Sequence, residues 1–265
     1  TLFDVLVDTA DTAPWFGFEQ EYTFMKYDRR EGSIEPLGFQ YMTTSQLIAA
    51  NPQGQFYCGV GAENVYGREI VEEHLQACID AKIQIYGLNA EVMPGQWEFQ
   101  IGPRGKLHGS PLRMSDHLYL ARWLLKRIAE KHGVIVSLAS KPVKGWNGAG
   151  LHTNFSNRHT RKELVGINAI NEAILKLEAN HDLHIENYGE GIKDRLTGEH
   201  ETCSWDEFKS GNSDRGASIR IPPAVKESGK GYFEDRRPNA NADPYTVCAL
   251  ILSTIGTKHA ISTGV

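Results

Sequence analysis

The sequence is poor in cysteine and in long hydrophobic runs. Four cysteines in 265 residues, none in a Cys-x-x-Cys pair, are too sparse for a disulfide scaffold. Towards the end of the chain the longest apolar run covers only residues 247–252, whereas a bilayer-spanning helix needs about 20 apolar residues. We therefore expect no membrane span, and the cysteine usage favours a reducing, cytoplasmic compartment. The chain starts at Thr1 without a signal-peptide pattern, so we expect further residues upstream.

An excess of positive charge is also lacking. The 28 basic and 33 acidic side chains give a net charge of −5, which offers no general attraction to nucleic acid or to an anionic membrane. The Gly-x-x-x-x-Gly-Lys-Ser/Thr phosphate loop, the Gly-x-Ser-x-Gly elbow and the His-Glu-x-x-His zinc helix do not occur. These absences exclude the commonest nucleotide, hydrolase and zinc-protease fingerprints.

What the chain does contain is one continuous alternation of helix-like and strand-like segments. Apolar residues recur at intervals of three and four in three predicted helices, residues 70–79, 118–128 and 164–177. A fourth helix is predicted to start at Asp243-Pro244, a cap followed by a proline at the first helical position. Strand-like segments are residues 16–25, 97–101, 134–139, 151–156 and 217–221. Glycine and proline in residues 28–55 predict a loop with a short helix at 44–50. This order predicts one α+β domain with a mostly antiparallel sheet, helices behind it and a working face in front.

Several strands present acidic or polar side chains on a single face. In residues 16–24, period-two geometry places the aromatic residues on one face and Glu19 and Glu21 on the other. The same alternation in residues 97–101 and 151–156 adds further polar side chains: Glu98, His152, Asn154 and Ser156. For any single strand, an ordinary solvated face is the alternative interpretation.

Glu91 and Glu234 are flanked by apolar and aromatic residues rather than by the lysine and serine of a typical surface. If these glutamates converge with those of the strands, like-charge repulsion forces some to protonate unless cations neutralise them. Oxygen ligands with one imidazole suit Mg²⁺ or Mn²⁺ and not a structural zinc.

A second group of candidate residues is basic. It comprises Arg195, Arg215, Arg220, Arg236 and Arg237. Guanidinium groups beside metal-holding carboxylates are typical of phosphoryl-transfer sites, which must neutralise charge on the transferring oxygens. Surface ion pairs are the alternative.

Five segments together resemble the catalytic domain of the glutamine synthetase family, in its eukaryotic-like type II class. They are FGFEQEY at 16–22, NAEVMPGQWEF at 89–99, NGAGLHTN at 147–154, RLTGEHE at 195–201 and GYFEDRRP at 231–238, and they occur in the family's order over nearly the whole chain. The resemblance implies a curved, mostly antiparallel sheet backed by helices, of guanido-kinase-like type. It also implies that residues 1–265 are the catalytic domain and that the family's small N-terminal β-rich domain is absent from this chain.

The resemblance further implies a role for individual residues. One divalent cation would be held by Glu21, Glu91 and Glu98, and a second by Glu19, His152 and Glu234, with Mg²⁺ or Mn²⁺ present at two or three ions per site. ATP would be bound by Trp15, Asn154, Ser156, Arg215, Arg220 and Tyr232, and glutamate by Arg195, Arg236, Asn147, Gly148 and His152. Arg215 and Arg220 would also act in catalysis, together with the flap residue Glu201.

The implied activity is ATP-dependent ligation of ammonia to glutamate, in a cytoplasmic homo-oligomer, a decamer of two pentameric rings, without nucleic-acid or membrane partners. Two alternatives stay open: a γ-glutamyl ligase for another amine, and a structural or regulatory relative without chemistry. Glu199, just before the flap residue, is an additional acid whose effect the pattern does not predict.

Overall fold

A computed structural model describes residues 1–28, 32–42, 54–103 and 109–256. Its helices are α1 (Leu2–Thr9), α2 (Arg68–Asp80), α3 (Pro111–Lys131), α4 (Gly166–Ala179), α5 (His181–Asn187), α6 (Ile192–Arg195), α7 (Pro223–Ser228) and α8 (Pro244–Gly256). Its strands are β1 (Trp15–Asp28), β2 (Ser33–Pro36), β3 (Ile85–Ala90), β4 (Gln96–Ile101), β5 (Ile135–Ser137), β6 (Leu151–Ser156), β7 (Ser210–Asn212), β8 (Ile219–Ile221) and β9 (Phe233–Asp235).

The nine strands found in the described ranges form one sheet in the order β3-β4-β1-β6-β9-β8-β7, with β2 and β5 also paired to β1. Every pairing is antiparallel except that of β7 with β8. The predicted α+β class with a mostly antiparallel sheet is confirmed. Strand β1 runs through the middle, so both of its edges are covered by neighbours.

The helices cover the apolar face of the sheet. Phe16, Phe18, Tyr22 and Phe24 of β1 are fully buried in one core, as their alternation predicts. Full burial of an aromatic side chain contributes about 2 to 3 kcal/mol, so this face anchors the fold. Helix α2 contributes His74, which lies edge-on to a buried ring of β4.

The predicted cap at the start of the last helix is confirmed. Helix α8 begins at Pro244, and the preceding Asp243 accepts a hydrogen bond from the backbone N–H of Thr246 at 2.9 Å. Helix α3 likewise begins with Pro111. Among the described residues, none of the helices combines the length and the apolar character that crossing a bilayer requires.

Some boundaries differ from the sequence-based expectations. Helix α4 begins at Gly166, and Leu164 is 95% exposed with a left-handed φ of 67°. The segment 28–55 is not all loop, because β2 and a 3₁₀ turn at Phe39–Tyr41 lie within it. The predicted helix at 44–50 lies outside the described residues.

Candidate active site

The register of the strands brings polar side chains together on the face opposite the core. Glu19 on β1 lies opposite both Gln100 on β4 and His152 on β6. Two residues along β1, Glu21 lies opposite Glu98. The alternation that buries the aromatic residues therefore aligns these groups on the other side.

Strands β9 and β8 add further polar side chains to the same face of the sheet. Asn154 on β6 lies opposite Glu234 on β9, which in turn lies opposite Arg220 on β8. Glu91 follows the end of β3, in a turn closed by a hydrogen bond from its backbone N–H to the Gln96 carbonyl at 2.9 Å. The turn returns the chain directly into β4, which keeps Glu91 near the acids of the sheet.

Among the described residues, the acidic groups form two clusters that share one member. Ligand atoms of Glu21, Glu91 and Glu98 lie within 4.8 Å of one another, and so do those of Glu19, Glu98 and His152. The resemblance assigned Glu98 to a single cation, whereas the structure places it in both clusters. Oxygen ligands with one imidazole are the donor set that Mg²⁺ or Mn²⁺ prefers.

The carboxylates of these clusters repel one another. Burial raises the pKa of Glu91 well above its ordinary value, and the nearby Glu21 raises it further. Burial also raises the pKa of Glu98, with Glu19 as the next contribution. A cation between these groups would remove both penalties.

His152 provides a second indication that the residues fit a cation. Burial lowers its pKa to about 4, so the ring is neutral near pH 7. Its buried Nδ1 has no hydrogen-bond partner among the described residues, and it lies 3.5 Å from Oε1 of Glu234 and 3.7 Å from Oε2 of Glu19. A divalent cation between them would neutralise both carboxylates. It would bind Nδ1 in the tautomer that carries the ring proton on Nε2, which requires Arg195, 3.2 Å from Nε2, to turn away.

Two arginines flank Glu234, which is 2% exposed. Nη1 of Arg220 donates to Oε2 at 3.1 Å, and Nη1 of Arg236 donates to Oε1 at 2.6 Å. These charge-assisted bonds place two guanidinium groups beside the cluster that contains His152.

A third arginine, Arg215, lies beside the segment with His200 and Glu201, which the resemblance implies is the flap. Nη1 of Arg215 lies 3.6 Å from Oε2 of Glu201, and its Nη2 donates to the hydroxyl of Tyr57 at 3.2 Å. His200 and Glu201 both have left-handed φ angles, 53° and 61°, which L-residues rarely adopt in succession. The flap is therefore a tight turn with Glu201 held beside Arg215.

A separate group of side chains, which we call the Trp15–Arg161 wall, lies where β1 meets β6. Trp15 lies opposite Ser156, and the guanidinium of Arg161 lies 4.1 Å from the centre of the Trp15 ring. Nη1 of Arg161 also donates to the Ser156 hydroxyl at 2.9 Å. Asn154 donates to Glu19 at 2.7 Å, which connects this wall to the acidic clusters.

Four other predicted residues lie close by in different settings. Arg195 is 3% exposed, and it donates to the carbonyls of Arg236, Arg237 and Pro238 and lies 3.2 Å from Nε2 of His152. A substrate carboxylate would reach Arg195 only by displacing those bonds. The Gly148 carbonyl accepts from Gln96 at 2.7 Å, and the neighbouring Asn147 is half-buried. Tyr232 is 42% exposed. Its partial burial is the main cause that raises its pKa, and the negative charges of Glu19 and Glu234 raise the pKa further.

Comparison with known proteins gives a consistent result. A family model described as the catalytic domain of glutamine synthetase matches residues 5–169. The chain is 51% identical over 252 residues to a glutamine synthetase of Streptomyces hygroscopicus, and 52% identical over 242 residues to one of Emericella nidulans. The chain belongs to the glutamine synthetase family. Its fold is similar to that of a Plasmodium falciparum glutamine synthetase solved by cryo-EM, with a TM-score of 0.73 at 16% identity.

The matches to glutamine synthetases cover most of this chain but only part of each relative. The Streptomyces and Emericella alignments include 95% and 91% of the chain, and 69% and 63% of the relatives. The Plasmodium structure is matched over 96% of this chain and 54% of its own. The chain thus spans roughly two thirds of the curated relatives' length and about half of the solved structure.

The sequence analysis missed four residues that lie among these side chains: Tyr57, Asn89, Gln100 and Arg161. Gln100 is two residues from Glu98 on a predicted strand, so period-two reasoning could have found it, whereas Asn89 lies on β3, which the sequence analysis did not predict. Tyr57 and Arg161 reach the site from turns, where no periodic signal exists.

Proposed function

We propose that the chain catalyses the ATP-dependent ligation of ammonia to the side-chain carboxylate of L-glutamate, giving L-glutamine, ADP and phosphate. The supporting observation is the pair of acidic clusters that share Glu98, with arginines on one side and a Trp15–Arg161 wall at one end. Family membership supports the same reaction.

We assign the cations to Mg²⁺ or Mn²⁺, two or three per site. The residues that would hold them are Glu19, Glu21, Glu91, Glu98, His152 and Glu234. When bound, these ions would neutralise phosphate charge and orient ATP. The protein's own contribution is a neutral imidazole and a set of carboxylates already placed by strand register.

Activation of glutamate is the first chemical problem, because a carboxylate oxygen is a poor leaving group. Transfer of the γ-phosphoryl group of ATP to that oxygen gives γ-glutamyl phosphate, from which phosphate can leave. Arg220 and Arg215 would stabilise the charge that spreads over the transferring oxygens. Arg236, which donates to Glu234 and to the Glu201 carbonyl, would bind a glutamate carboxylate. Trp15, Asn154, Ser156 and Tyr232 would line the nucleotide pocket.

Ammonia then displaces phosphate, and water must not do so first. In neutral solution ammonia exists mostly as ammonium, so a carboxylate must accept a proton before attack. Glu201 lies beside Arg215 on the flap, where it can close over the intermediate and exclude water. We therefore assign the lid role to Glu201.

The wider assignments are part of the same proposal. Residues 1–265 would form the catalytic domain of a homo-oligomer, with the decamer of two pentameric rings as the state to test by light scattering. Cytoplasmic localisation is consistent with four free cysteines.

A hydroxamate assay tests the reaction directly. The chain is incubated with glutamate, ATP, hydroxylamine and Mg²⁺, and γ-glutamyl hydroxamate and ADP are measured. We expect both products in equal amounts, and glutamine when ammonia replaces hydroxylamine. Hydroxamate without glutamine would indicate a ligase for another amine. Failure to form either product at saturating substrate would instead favour a structural relative.

A further inference from the structure

Two amide side chains lie between two proposed metal carboxylates, Glu91 just after β3 and Glu98 on β4. Asn89 lies directly opposite Glu98, and Gln100 lies opposite Gly87 on one side and Glu19 on the other. All of these positions share the site face of the sheet because they are separated by two residues along each strand.

The amides form a continuous hydrogen-bonded chain between two acids. Nδ2 of Asn89 donates to Oε1 of Glu91 at 2.9 Å. Nε2 of Gln100 donates to Oδ1 of Asn89 at 2.7 Å and also donates to Oε1 of Glu98. A primary amide has two N–H groups, so one nitrogen can serve both acceptors. We call the path from Glu91 through Asn89 and Gln100 to Glu98 the amide relay.

We propose that the amide relay positions Glu91 and Glu98 for divalent cations, with Asn89 and Gln100 as positioning residues; this inference rests on the proposed function. Each donation occupies Oε1 of its carboxylate and fixes the orientation of that carboxylate. Amide N–H groups favour the charged form of an acid without adding a positive charge that would repel a cation. Both effects reduce the cost of organising two repelling acids before a cation binds.

A substitution at Gly87 offers a second way to disturb the amide relay without removing either amide. The strand has an irregularity between Ile85 and Gly87, and a Cβ atom built at Gly87 would lie 2.2 Å from Oε1 of Gln100. An alanine there would push the Gln100 amide away from its partners. Gly87 itself has no side chain that could contact a carboxylate, so this displacement acts through Gln100.

The first experiment measures binding of Mn²⁺ alone to the full chain by electron paramagnetic resonance, without nucleotide. Gln100→Met and Asn89→Leu remove the donors while keeping side-chain size. We expect each to weaken Mn²⁺ binding by about 10-fold or more, the usual effect of losing a group that orients a ligand. The melting temperature in EDTA should stay at the parent value. Gln76→Met, on the exposed side of α2, is the matched control and should bind Mn²⁺ as the parent does.

The second experiment tests whether Gly87 and Gln100 act on the same group. Gly87→Ala should weaken Mn²⁺ binding in the parent, but it should have no further effect in a Gln100→Ala background, where no amide remains to be displaced. Because this comparison uses Gly87→Ala and Gln100→Ala, it still tests the relay if Gln100→Met or Asn89→Leu does not fold. Parent-like Mn²⁺ affinity in Gln100→Met, or an equal effect of Gly87→Ala in both backgrounds, would overturn the relay.

The inference and the proposed function can fail separately. A parent chain that binds Mn²⁺ with relay-dependent affinity but forms no γ-glutamyl hydroxamate would reject the proposed reaction and support the relay. A parent chain that does not bind Mn²⁺ would overturn the relay.

Discussion

Glu21 and Glu98 lie directly opposite each other on neighbouring antiparallel strands, and both are less than one-tenth exposed. Like charges in this arrangement destabilise a sheet. The surrounding core of fully buried aromatic residues supplies the stability that keeps them together. The protein therefore holds an unfavourable electrostatic arrangement on two interior strands of its sheet, which is typical of a site organised for binding rather than for stability.

Removal of the Glu98 carboxylate, which both clusters share, should lower activity strongly without lowering stability. In Glu98→Gln, both clusters lose a ligand, so we expect hydroxamate formation to fall at least 1,000-fold, an order-of-magnitude figure for loss of a metal site. The melting temperature in EDTA should be equal to or above that of the parent, because a buried repulsion is relieved. Glu69→Gln on the exposed face of α2 serves as the control. Retained turnover in Glu98→Gln would contradict the site.

Loss of the Arg161 side chain should weaken ATP binding. Arg161→Leu removes the cation–π contact with Trp15 and the bond to Ser156, contributions of about 1 kcal/mol or more each. We expect the KM for ATP to rise about 10-fold or more while kcat changes little, measured by a coupled ADP assay. Arg158→Leu changes an exposed arginine of the same turn. An equal rise in that control would show that the effect is not specific to the Trp15 contact.

The flap residue should govern coupling between ATP consumption and amide formation. In Glu201→Gln the carboxylate beside Arg215 is lost, so water gains access to the acyl phosphate. The expected result is less than one amide formed per ADP released, measured for both products in one reaction, and turnover at least about 10-fold lower. Glu199→Gln, an exposed neighbour, should keep the parent ratio. A ratio of one in Glu201→Gln would remove the lid assignment.

A buried histidine on the core side of the sheet should make stability depend on pH. Burial lowers the pKa of His74 to about 4, against about 6.5 in the unfolded chain. Because the unfolded state takes up the proton first, this contribution is complete above about pH 6.5 and is lost as the pH falls towards 4. Between pH 7.5 and 5 the loss is about 2 kcal/mol.

Urea unfolding at these two pH values tests the His74 contribution. His74→Gln keeps a donor for the Ala121 carbonyl but cannot titrate, so its free energy of unfolding should fall less than that of the parent by about this amount. His159→Gln, at an exposed position, should follow the parent. Parallel loss of stability in the parent and His74→Gln would show that His74 does not contribute.

Period-two alternation predicted the part of the site that lies on long strands. Phe16 and Phe18 point into the core and Glu19 to the other face, because side chains must alternate on an extended backbone. Strands β7 and β9 were missed because each contains at most one apolar residue, whereas the equally short β5 and β8 contain two. Strand β3 was missed because Gly87 interrupts its pattern, and the reason for that glycine lies on another strand.

Contacts between distant segments were the least predictable features. Arg161 lies over Trp15, 146 residues earlier in the chain, through a turn that no local pattern describes.

Leu164 was assigned to α4 because it fits the apolar spacing, whereas its left-handed backbone places it before the helix. Hydrophobic periodicity does not encode backbone dihedral angles.

Strand β1 supplies acids to both clusters and aromatic residues to the core, and it is bordered by β4 and β6 along the same stretch. Insertion or deletion of one residue there would exchange the two faces, placing carboxylates among the aromatic rings of the core and the rings among the acidic clusters. The residues proposed for catalysis and the residues of the core thus alternate along a single strand, and both depend on its register. Length variation in this protein should be confined to its connecting segments.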